Sequence, residues 1–345
     1  MNLSELPRVP DILDGYISRQ FRVTEAPSMP RATTATLVHH AELLPDAQRA
    51  ILYLPGYSDY FFQTEHATAW RKRGFEFFAL DMRAQGRNLL PGPRSEEGPL
   101  PEYLPDLRIR HEDIALAMRA LRERYDQIAI LGHSTGGLQA VMYAYLSSPA
   151  AHPTRSRGLP DRTRHPLAPD ALILNSPWFG LNANPLTRLA APLGVAALAR
   201  IAPTQQVATL DPAYTHDLIE YDSGRWGIDP MLKPIDGFPM RAATLASVCS
   251  AQRRLARGLH LDIATLICHS ARSGNNSHPT ADEVATSDVV LDVADMTGRA
   301  MCVGVNAQTY AIEDGKHDLA LSGPAARETY LRRITDFADL TLFRA

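Results

Sequence analysis

Short apolar runs recur along the chain and alternate with segments that have helical periodicity. Runs that stay apolar over successive residues are typical of strands that are buried on both faces of a sheet. Strands that alternate with helices indicate a largely parallel sheet with helices on both sides. We therefore predict an α/β protein with a mostly parallel eight-stranded sheet, whose strands in chain order are FRVTEA, ATLVHHA, AILYLPG, FEFFALD, QIAILGH, ALILNSP, ATLICHS and QTYAIED.

The segments between these runs differ in kind. The clearest helix is predicted over 111–125, because the apolar residues there share one helical face. It leads directly into the fifth predicted strand. Prolines and glycines predict two long surface loops, over 91–105 and 151–169, and the second has a basic bias that a solvated surface explains.

The strand rhythm stops between about Ser176 and Leu259, where the sequence turns to apolar helical pieces, prolines and isolated aromatics. We interpret this part as a helical lid inserted after the sixth strand. The organisation expected is a first core part over 1–175, a lid over 176–259 and a second core part over 260–345. Trp178 and Phe179 follow the sixth strand and are expected to bind substrate, because ligands of such sheets bind at the carboxyl ends of the strands.

Composition and charge narrow the classes of partner. Lys and Arg total 35 against 38 Asp and Glu, so the net charge of -3 provides no overall field that would attract nucleic acid or an anionic bilayer. Three cysteines in mostly apolar surroundings predict reduced thiols and a cytoplasmic location.

The sequence also predicts neither export nor a transmembrane segment. The first residues lack the basic and apolar stretches of a signal peptide. The most apolar stretch, from Leu189, is interrupted by Pro192, Gly194 and Arg200 and is too short to span a bilayer. The expected partner is a small-molecule substrate, and the oligomeric state stays open.

Ser134 lies in a G-x-S-x-G pattern that runs from Gly132 to Gly136. The pattern alone is short, but here an apolar strand precedes the serine and a probable helix begins near Gly136. This strand, turn and helix context is the one in which a serine hydroxyl is lifted above the carboxyl edge of a sheet. A helix-capping serine is the structural alternative. We predict that Ser134 is a nucleophile.

A serine nucleophile needs a base and donors for the oxyanion. His317 follows the last predicted strand, which is where this architecture places the base, whereas His269 and His278 precede that strand and are weaker rivals. The backbone N–H of Thr135, directly after the nucleophile, and that of Tyr57, in the loop after the third strand, are the predicted oxyanion donors.

These segments together resemble the α/β-hydrolase superfamily, particularly its serine aminopeptidase and monoacylglycerol lipase-like group, often labelled lysophospholipases. The resemblance covers nearly all of the chain from about Arg19. It rests on YLPGYSDYFFQ, GFEFFALDMRAQGRN, ILGHSTGG, ILNSPWFGLN and DGKHDLALS.

The chain departs from this family's pattern at two places. Pro55 stands before Gly56 where the family usually has histidine, so the oxyanion loop must be braced otherwise. The family's acid usually follows the seventh strand within a few residues, whereas here a longer segment, CHSARSGNNSHPTADEVATSDVVLD, intervenes.

The acid that orients His317 is predicted to be Asp288. Thr280 and Glu283 have the spacing of a capping box, with Asp282 in the same first turn, and Asp292 and Asp295 repeat that spacing at the next probable helix. Asp288 has no such structural explanation. It also begins DVVLDV, which is similar to the run that follows the acid in the resembled family. Asp292 is the alternative.

We predict a serine hydrolase that cleaves carboxylic esters through an acyl-enzyme and uses no cofactor and no metal. The resemblance implies lysophospholipid or monoacylglycerol-like esters. An aminopeptidase of the same fold is the first alternative and would need lid carboxylates for the substrate's amino group, for which Asp211, Asp217, Glu220 and Asp222 are candidates. A non-catalytic ligand sensor is the second alternative.

Overall fold

The computed structural model of the protein describes residues 2–89, 98–148, 151, 166–209, 212–221 and 226–342. The strands are β1 (Val9–Pro10), β2 (Tyr16–Arg22), β3 (Thr34–His40), β4 (Arg49–Leu54), β5 (Phe75–Asp81), β6 (Gln127–His133), β7 (Ala171–Asn175), β8 (Gln206–Ala208), β9 (Met240–Arg241), β10 (Ala264–Ser270) and β11 (Ala307–Ile312). The helices are α1 (Thr64–Lys72), α2 (His111–Arg122), α3 (Thr135–Leu146), α4 (Pro185–Ile201), α5 (Pro212–His216), α6 (Ala242–Ala256), α7 (Ala281–Thr286), α8 (Val293–Gly298), α9 (Ala300–Val303) and α10 (Pro324–Thr341).

A nine-stranded sheet in the order β1-β2-β3-β5-β4-β6-β7-β10-β11 forms the centre of the fold, and β8 pairs with β9 in a separate small sheet. In the large sheet, neighbouring strands in the part β5-β4-β6-β7-β10-β11 are parallel, and neighbouring strands in the part β1-β2-β3-β5 are antiparallel. The predicted mostly parallel sheet is therefore confirmed, with nine strands instead of eight.

The first predicted strand is wrong in position. The sequence predicts FRVTEA, residues 21–26, as the strand, whereas β2 covers Tyr16–Arg22 and shares only Phe21 and Arg22 with that run. The strand is hard to recognise because Arg19 lies buried within it. The Arg19 guanidinium donates to His39 Nε2 at 2.9 Å and to the carbonyls of Leu3 and Leu6. An arginine with these internal partners takes the place of an apolar residue.

The central strands divide their side chains between two apolar clusters, one on each face of the sheet. In β4, Leu52 packs on one face and Ile51 and Tyr53 on the other. This alternation follows from the two-residue repeat of an extended strand. Helices α2, α3 and α6 contribute to the first cluster, and α1 and α10 to the second. Both faces of the central strands are thus covered, so these strands are mostly apolar in sequence.

The segment between β7 and β10, residues 176–263, contains α4, α5 and α6 among its described residues, and we call it the inserted segment. Its last helix, α6, packs buried residues such as Val248 and Leu255 into the same cluster as the sheet. The predicted lid therefore included, up to Leu259, a helix that belongs to the core. The helix α4, in contrast, is largely exposed, with Leu186 80% accessible.

Within the described ranges, no helix has both the length and the apolar character needed to cross a membrane. Cys249, Cys268 and Cys302 are free thiols, and Cys302 is only partly buried.

Candidate active site

Ser134 lies on a strained turn between β6 and α3. Its φ and ψ angles are 52° and -116°, a backbone conformation that non-glycine residues rarely adopt. The turn is held by backbone hydrogen bonds, because Ser134 N–H donates to the Asn175 carbonyl at 3.0 Å and the Ser134 carbonyl accepts from Trp178 N–H at 3.0 Å. These bonds fasten the serine to the carboxyl end of β7.

The glycines of the motif allow this turn to pack closely. A Cβ on Gly136 would lie 2.2 Å from the Leu54 carbonyl oxygen, and one on Gly132 would lie 2.5 Å from the Gly136 carbonyl oxygen. Neither contact is possible for a larger residue. The sequence pattern therefore has a steric cause in the approach of α3 to β4 and β6.

His317 and Asp288 are in direct contact. His317 Nδ1 lies 2.9 Å from Asp288 Oδ2, and both side chains are buried. The other carboxylate oxygen, Oδ1, accepts hydrogen bonds from the backbone N–H groups of Val290 at 2.9 Å and Leu291 at 2.8 Å. Three donors thus fix the carboxylate, and the carboxylate in turn orients the imidazole.

A cavity of about 350 Å³ brings Ser134 and His317 to one surface. Its lining also includes Tyr57 and Gly56, and a Cβ on Gly56 would approach the Ser134 Cβ to 3.2 Å. Among the described residues, the backbone N–H groups of Tyr57 and Thr135 have no hydrogen-bond acceptor. Two unpaired donors thus lie in the loop beside Ser134 and in the residue after it.

The two aromatics predicted to bind substrate have different surroundings. Trp178 lines the cavity and is partly buried. Phe179 is completely buried in the main apolar cluster and does not line the cavity. The prediction for Phe179 therefore needs correction, because its ring packs into the main apolar cluster and does not line the cavity.

The predicted caps of α7 and α8 are present, whereas Asp295 does not cap α8. Thr280 and Glu283 form the predicted capping box of α7, and Asp292 caps α8 by accepting from the Ala294 N–H at 3.0 Å. Asp295 lies in the first turn of α8 and pairs with Arg188 at 2.8 Å. None of these carboxylates contacts His317 among its described partners.

The rival bases are placed elsewhere. His269 is buried, and its Nδ1 lies 2.7 Å from the carbonyl of the next residue, Ser270. His278 is exposed in the loop before α7. Neither lines the cavity.

Three polar ties that the sequence did not suggest connect the inserted segment to the loops around the cavity. They join partners far apart in the sequence. Several of these residues lie in segments that the sequence singles out, namely Asp59 in the predicted oxyanion loop, Asp217 among the lid carboxylates, and Lys316 and Asp318 beside His317, but nothing in the sequence indicates which of them pair. The ties are Lys233 Nζ to Asp59 Oδ1 at 2.9 Å, Lys316 Nζ to Asp217 Oδ2 at 2.5 Å, and Asp318 N–H to Tyr214 Oη at 3.0 Å.

Asp59, His133 and Asp318 are buried and bring one potential metal-ligating atom each within 4.8 Å of one another. Their carboxylates, however, already have protein partners, since Lys233 donates to Asp59 and Asn175 donates to Asp318 Oδ1 at 2.7 Å. Burial lowers the pKa of His133 below its usual value, against the opposing influence of Asp318. We interpret the three groups as a hydrogen-bonded network behind the cavity.

The chain is similar to known proteins in sequence and in fold. The sequence model of the family described as serine aminopeptidase, S33, matches residues 45–273. No curated protein sequence matches the chain.

Solved structures share its fold at low identity. A monoglyceride lipase from Saccharomyces cerevisiae in complex with a substrate analogue is 14% identical, with 97% of this chain and 95% of that chain covered and a TM-score of 0.61. A monoacylglycerol lipase from Paleococcus ferrophilus is 16% identical, with 84% and 93% covered and a TM-score of 0.56. A thermostable carboxyl esterase from Bacillus coagulans in complex with glycerol is 14% identical, with 96% and 100% covered and a TM-score of 0.62.

Proposed function

The chain belongs to the serine aminopeptidase (S33) family and has the α/β-hydrolase fold, and on this premise we propose that it is a serine hydrolase that cleaves carboxylic esters. The proposed catalytic residues are Ser134, His317 and Asp288. The observation that carries the proposal is the buried contact of 2.9 Å between His317 Nδ1 and Asp288 Oδ2, beside a serine held on a strained turn.

In the proposed mechanism, Asp288 accepts a hydrogen bond from the Nδ1–H of His317, which keeps the proton on Nδ1 and leaves a lone pair on Nε2. Nε2 takes the hydroxyl proton of Ser134 while Oγ attacks the ester carbonyl. The carbonyl oxygen becomes an oxyanion, for which Tyr57 and Thr135 supply backbone N–H donors. Collapse of the intermediate expels the alcohol with the proton from His317, and water then repeats these steps to release the acid.

An ester substrate is favoured over a peptide by the state of the carboxylates. An aminopeptidase needs a carboxylate that is free to bind the substrate's amino group. Asp59 is the one carboxylate among the described residues that line the cavity, and Lys233 already neutralises it. Asp217, a predicted lid candidate, is likewise paired with Lys316. The other three candidates, Asp211, Asp222 and the side chain of Glu220, lie outside the described residues.

The walls of the cavity support an apolar acyl group. Leu181, Leu245, Val290 and Leu291 line it together with Trp178. We propose that the acyl chain lies along this apolar wall and that residues 176–241 act as a lid over it. A monoacylglycerol-like or lysophospholipid-like ester combines such a chain with a polar alcohol, and the lining also offers polar side chains such as Asn182, Thr187 and Asn276.

The proposal is tested by comparing p-nitrophenyl esters of increasing chain length with an amino-acid arylamide. We expect turnover of the esters and not of the arylamide. Ser134→Ala should abolish both ester turnover and labelling by a fluorophosphonate, while Ser148→Ala, at a serine outside the cavity, serves as the matched control. Labelling that survives in the Ser134→Ala protein would exclude Ser134 as the nucleophile.

A further inference from the structure

Pro55 stands where the resembled family usually has histidine, so the loop after β4 lacks the hydrogen bonds of that side chain. Proline also has no backbone N–H, and Gly56 has no side chain. The loop nevertheless carries the Tyr57 N–H, which is a proposed oxyanion donor. Its orientation must therefore be fixed by residues from other parts of the chain.

Gln85, in the turn after β5, contacts this loop at one atom. Gln85 Nε2 donates to the Gly56 carbonyl oxygen at 2.6 Å, and the side chain is completely buried. The Gly56 carbonyl and the Tyr57 N–H belong to the same planar peptide group and point in opposite directions. A donor that holds the carbonyl from one side therefore aims the N–H toward the other side. The same hydrogen bond polarises the peptide group and strengthens its N–H as a donor.

Glu102 holds the next peptide group. Its Oε1 accepts from the Ser58 N–H at 3.0 Å, and its Oε2 accepts from Arg110 Nη2 at 3.1 Å. Arg110 also donates to the Arg83 carbonyl through Nε at 3.1 Å and Nη2 at 2.9 Å. Arg83 belongs to the same turn as Gln85, so the two contacts on the loop are parts of one buried network.

The backbone of this network is itself constrained. Ser58, Ala84 and Glu102 have φ angles of 55°, 56° and 53°, all in the left-handed region that non-glycine residues rarely occupy. The Glu102 N–H donates to the Ala84 carbonyl at 2.8 Å and joins two of these residues directly. Strained backbone of this kind persists where the surroundings over-determine it, and it concentrates at functional sites.

We propose that Gln85 and Glu102 are positioning residues that brace the Gly56–Tyr57–Ser58 backbone, so that the Tyr57 N–H faces the oxyanion of the ester reaction. The inference rests on the proposed function, because it concerns the same site. In the resembled family a histidine usually stands at the position of Pro55, and here Gln85 and Glu102 would brace the loop in its place.

The decisive variant is Gln85→Met, which keeps the size of the side chain and removes the donor to Gly56. Loss of an oxyanion donor reduces kcat by about 100- to 1,000-fold, so misalignment of this donor should reduce kcat by roughly 10- to 100-fold. KM should stay close to its wild-type value. The affinity for a trifluoromethyl ketone of matching chain length, which mimics the tetrahedral intermediate, should fall by the same factor as kcat/KM.

A matched control is Tyr143→Phe, which keeps the ring and removes another hydrogen bond, from Tyr143 Oη to the Leu167 carbonyl at 2.9 Å, without touching the loop or the turn that carries Gln85. It should lower thermal stability comparably and leave kcat unchanged. If Gln85→Met does not fold, a second pair of variants, at Glu102, tests the same proposal. Glu102→Gln retains an acceptor for the Ser58 N–H and should keep most of the kcat that Glu102→Leu loses.

The outcomes separate the two proposals. A folded Gln85→Met enzyme with wild-type kcat and wild-type affinity for the ketone would overturn the brace while the ester hydrolase stands. Equal kcat in Glu102→Gln and Glu102→Leu would overturn it as well. A wild-type protein that turns over no ester would refute the proposed function and, with it, this inference.

Discussion

Replacement of Asp288 by asparagine tests whether Asp288 orients His317, because the hydrogen bonds around residue 288 determine how the asparagine amide must lie. Oδ1 of Asp288 accepts from two backbone N–H groups, those of Val290 and Leu291, and Oδ2 faces His317. The asparagine carbonyl must take the Oδ1 position, because the reverse orientation would direct an NH2 group at two N–H donors. Losing two buried hydrogen bonds costs about 2 kcal/mol or more, so the amide has one orientation.

The asparagine NH2 then faces His317 Nδ1, which must accept a hydrogen bond. The imidazole proton moves to Nε2, and the base no longer has a lone pair for Ser134. We expect kcat to fall by roughly 10⁴-fold, or about 5 kcal/mol in the activation barrier. The folded state should lose only about 1–2 kcal/mol, because the backbone acceptor is kept.

Hydrolysis of a p-nitrophenyl ester measures kcat, and urea denaturation measures the free energy of unfolding. Asp292→Asn is the control, since Asp292 caps α8 and contacts Arg188 at 2.9 Å, and asparagine is also a good cap. Its kcat should stay near wild type. The reasoning fails if folded Asp288→Asn retains more than about a tenth of kcat, or if Asp292→Asn is the variant that loses activity.

Three other predictions concern the cavity, the packing of the turn and a buried histidine. Trp178→Ala should change the relative kcat/KM values across a series of ester chain lengths more than it changes the melting temperature, and an unchanged series would show that the ring only packs. Gly136→Ala should prevent stable folding, because its Cβ would lie 2.2 Å from the Leu54 carbonyl oxygen. The control is Gly194→Ala, at a helical position where a Cβ would meet open space, which should raise the free energy of unfolding in urea by about 0.5–1 kcal/mol. A stable Gly136→Ala protein would contradict the steric argument. Burial lowers the pKa of His66 from 6.5 to about 4, so between these values the unfolded chain binds a proton that the folded chain does not, and stability falls as the pH falls. His66→Phe should therefore lose less stability than the wild type between pH 7 and pH 4.5 in urea denaturation, and an equal loss would argue against this assignment.

Strands β4 to β7 could be predicted because both of their faces are buried, which makes them continuously apolar in sequence. Strand β2 could not, because Arg19 is buried in it through partners that only the folded chain brings together. Local periodicity records which faces are buried but does not record such long-range hydrogen bonds.

The candidate site divides in the same way. Asp288 could be predicted because the neighbouring carboxylates have local capping roles that short sequence spacing reveals. The pairing of Asp59 with Lys233 could not, since these residues are 174 positions apart. Trp178 and Phe179 both follow β7, so their position in the sequence predicts both at the cavity, but consecutive residues point in different directions, and of the two Trp178 alone lines the cavity.

The three polar ties make the inserted segment and the loops around the cavity a single cooperative unit. Opening of the segment by itself would break the Lys233–Asp59 and Lys316–Asp217 ion pairs and the hydrogen bond from Asp318 to Tyr214 in the same event. Partial opening of this kind is therefore rare, and the backbone amides of the segment near Tyr214 and those of the His317 loop should exchange with solvent in the same opening events. Heat should then inactivate the protein at the temperature at which it unfolds, because the geometry of the site and the attachment of the segment are lost in one step.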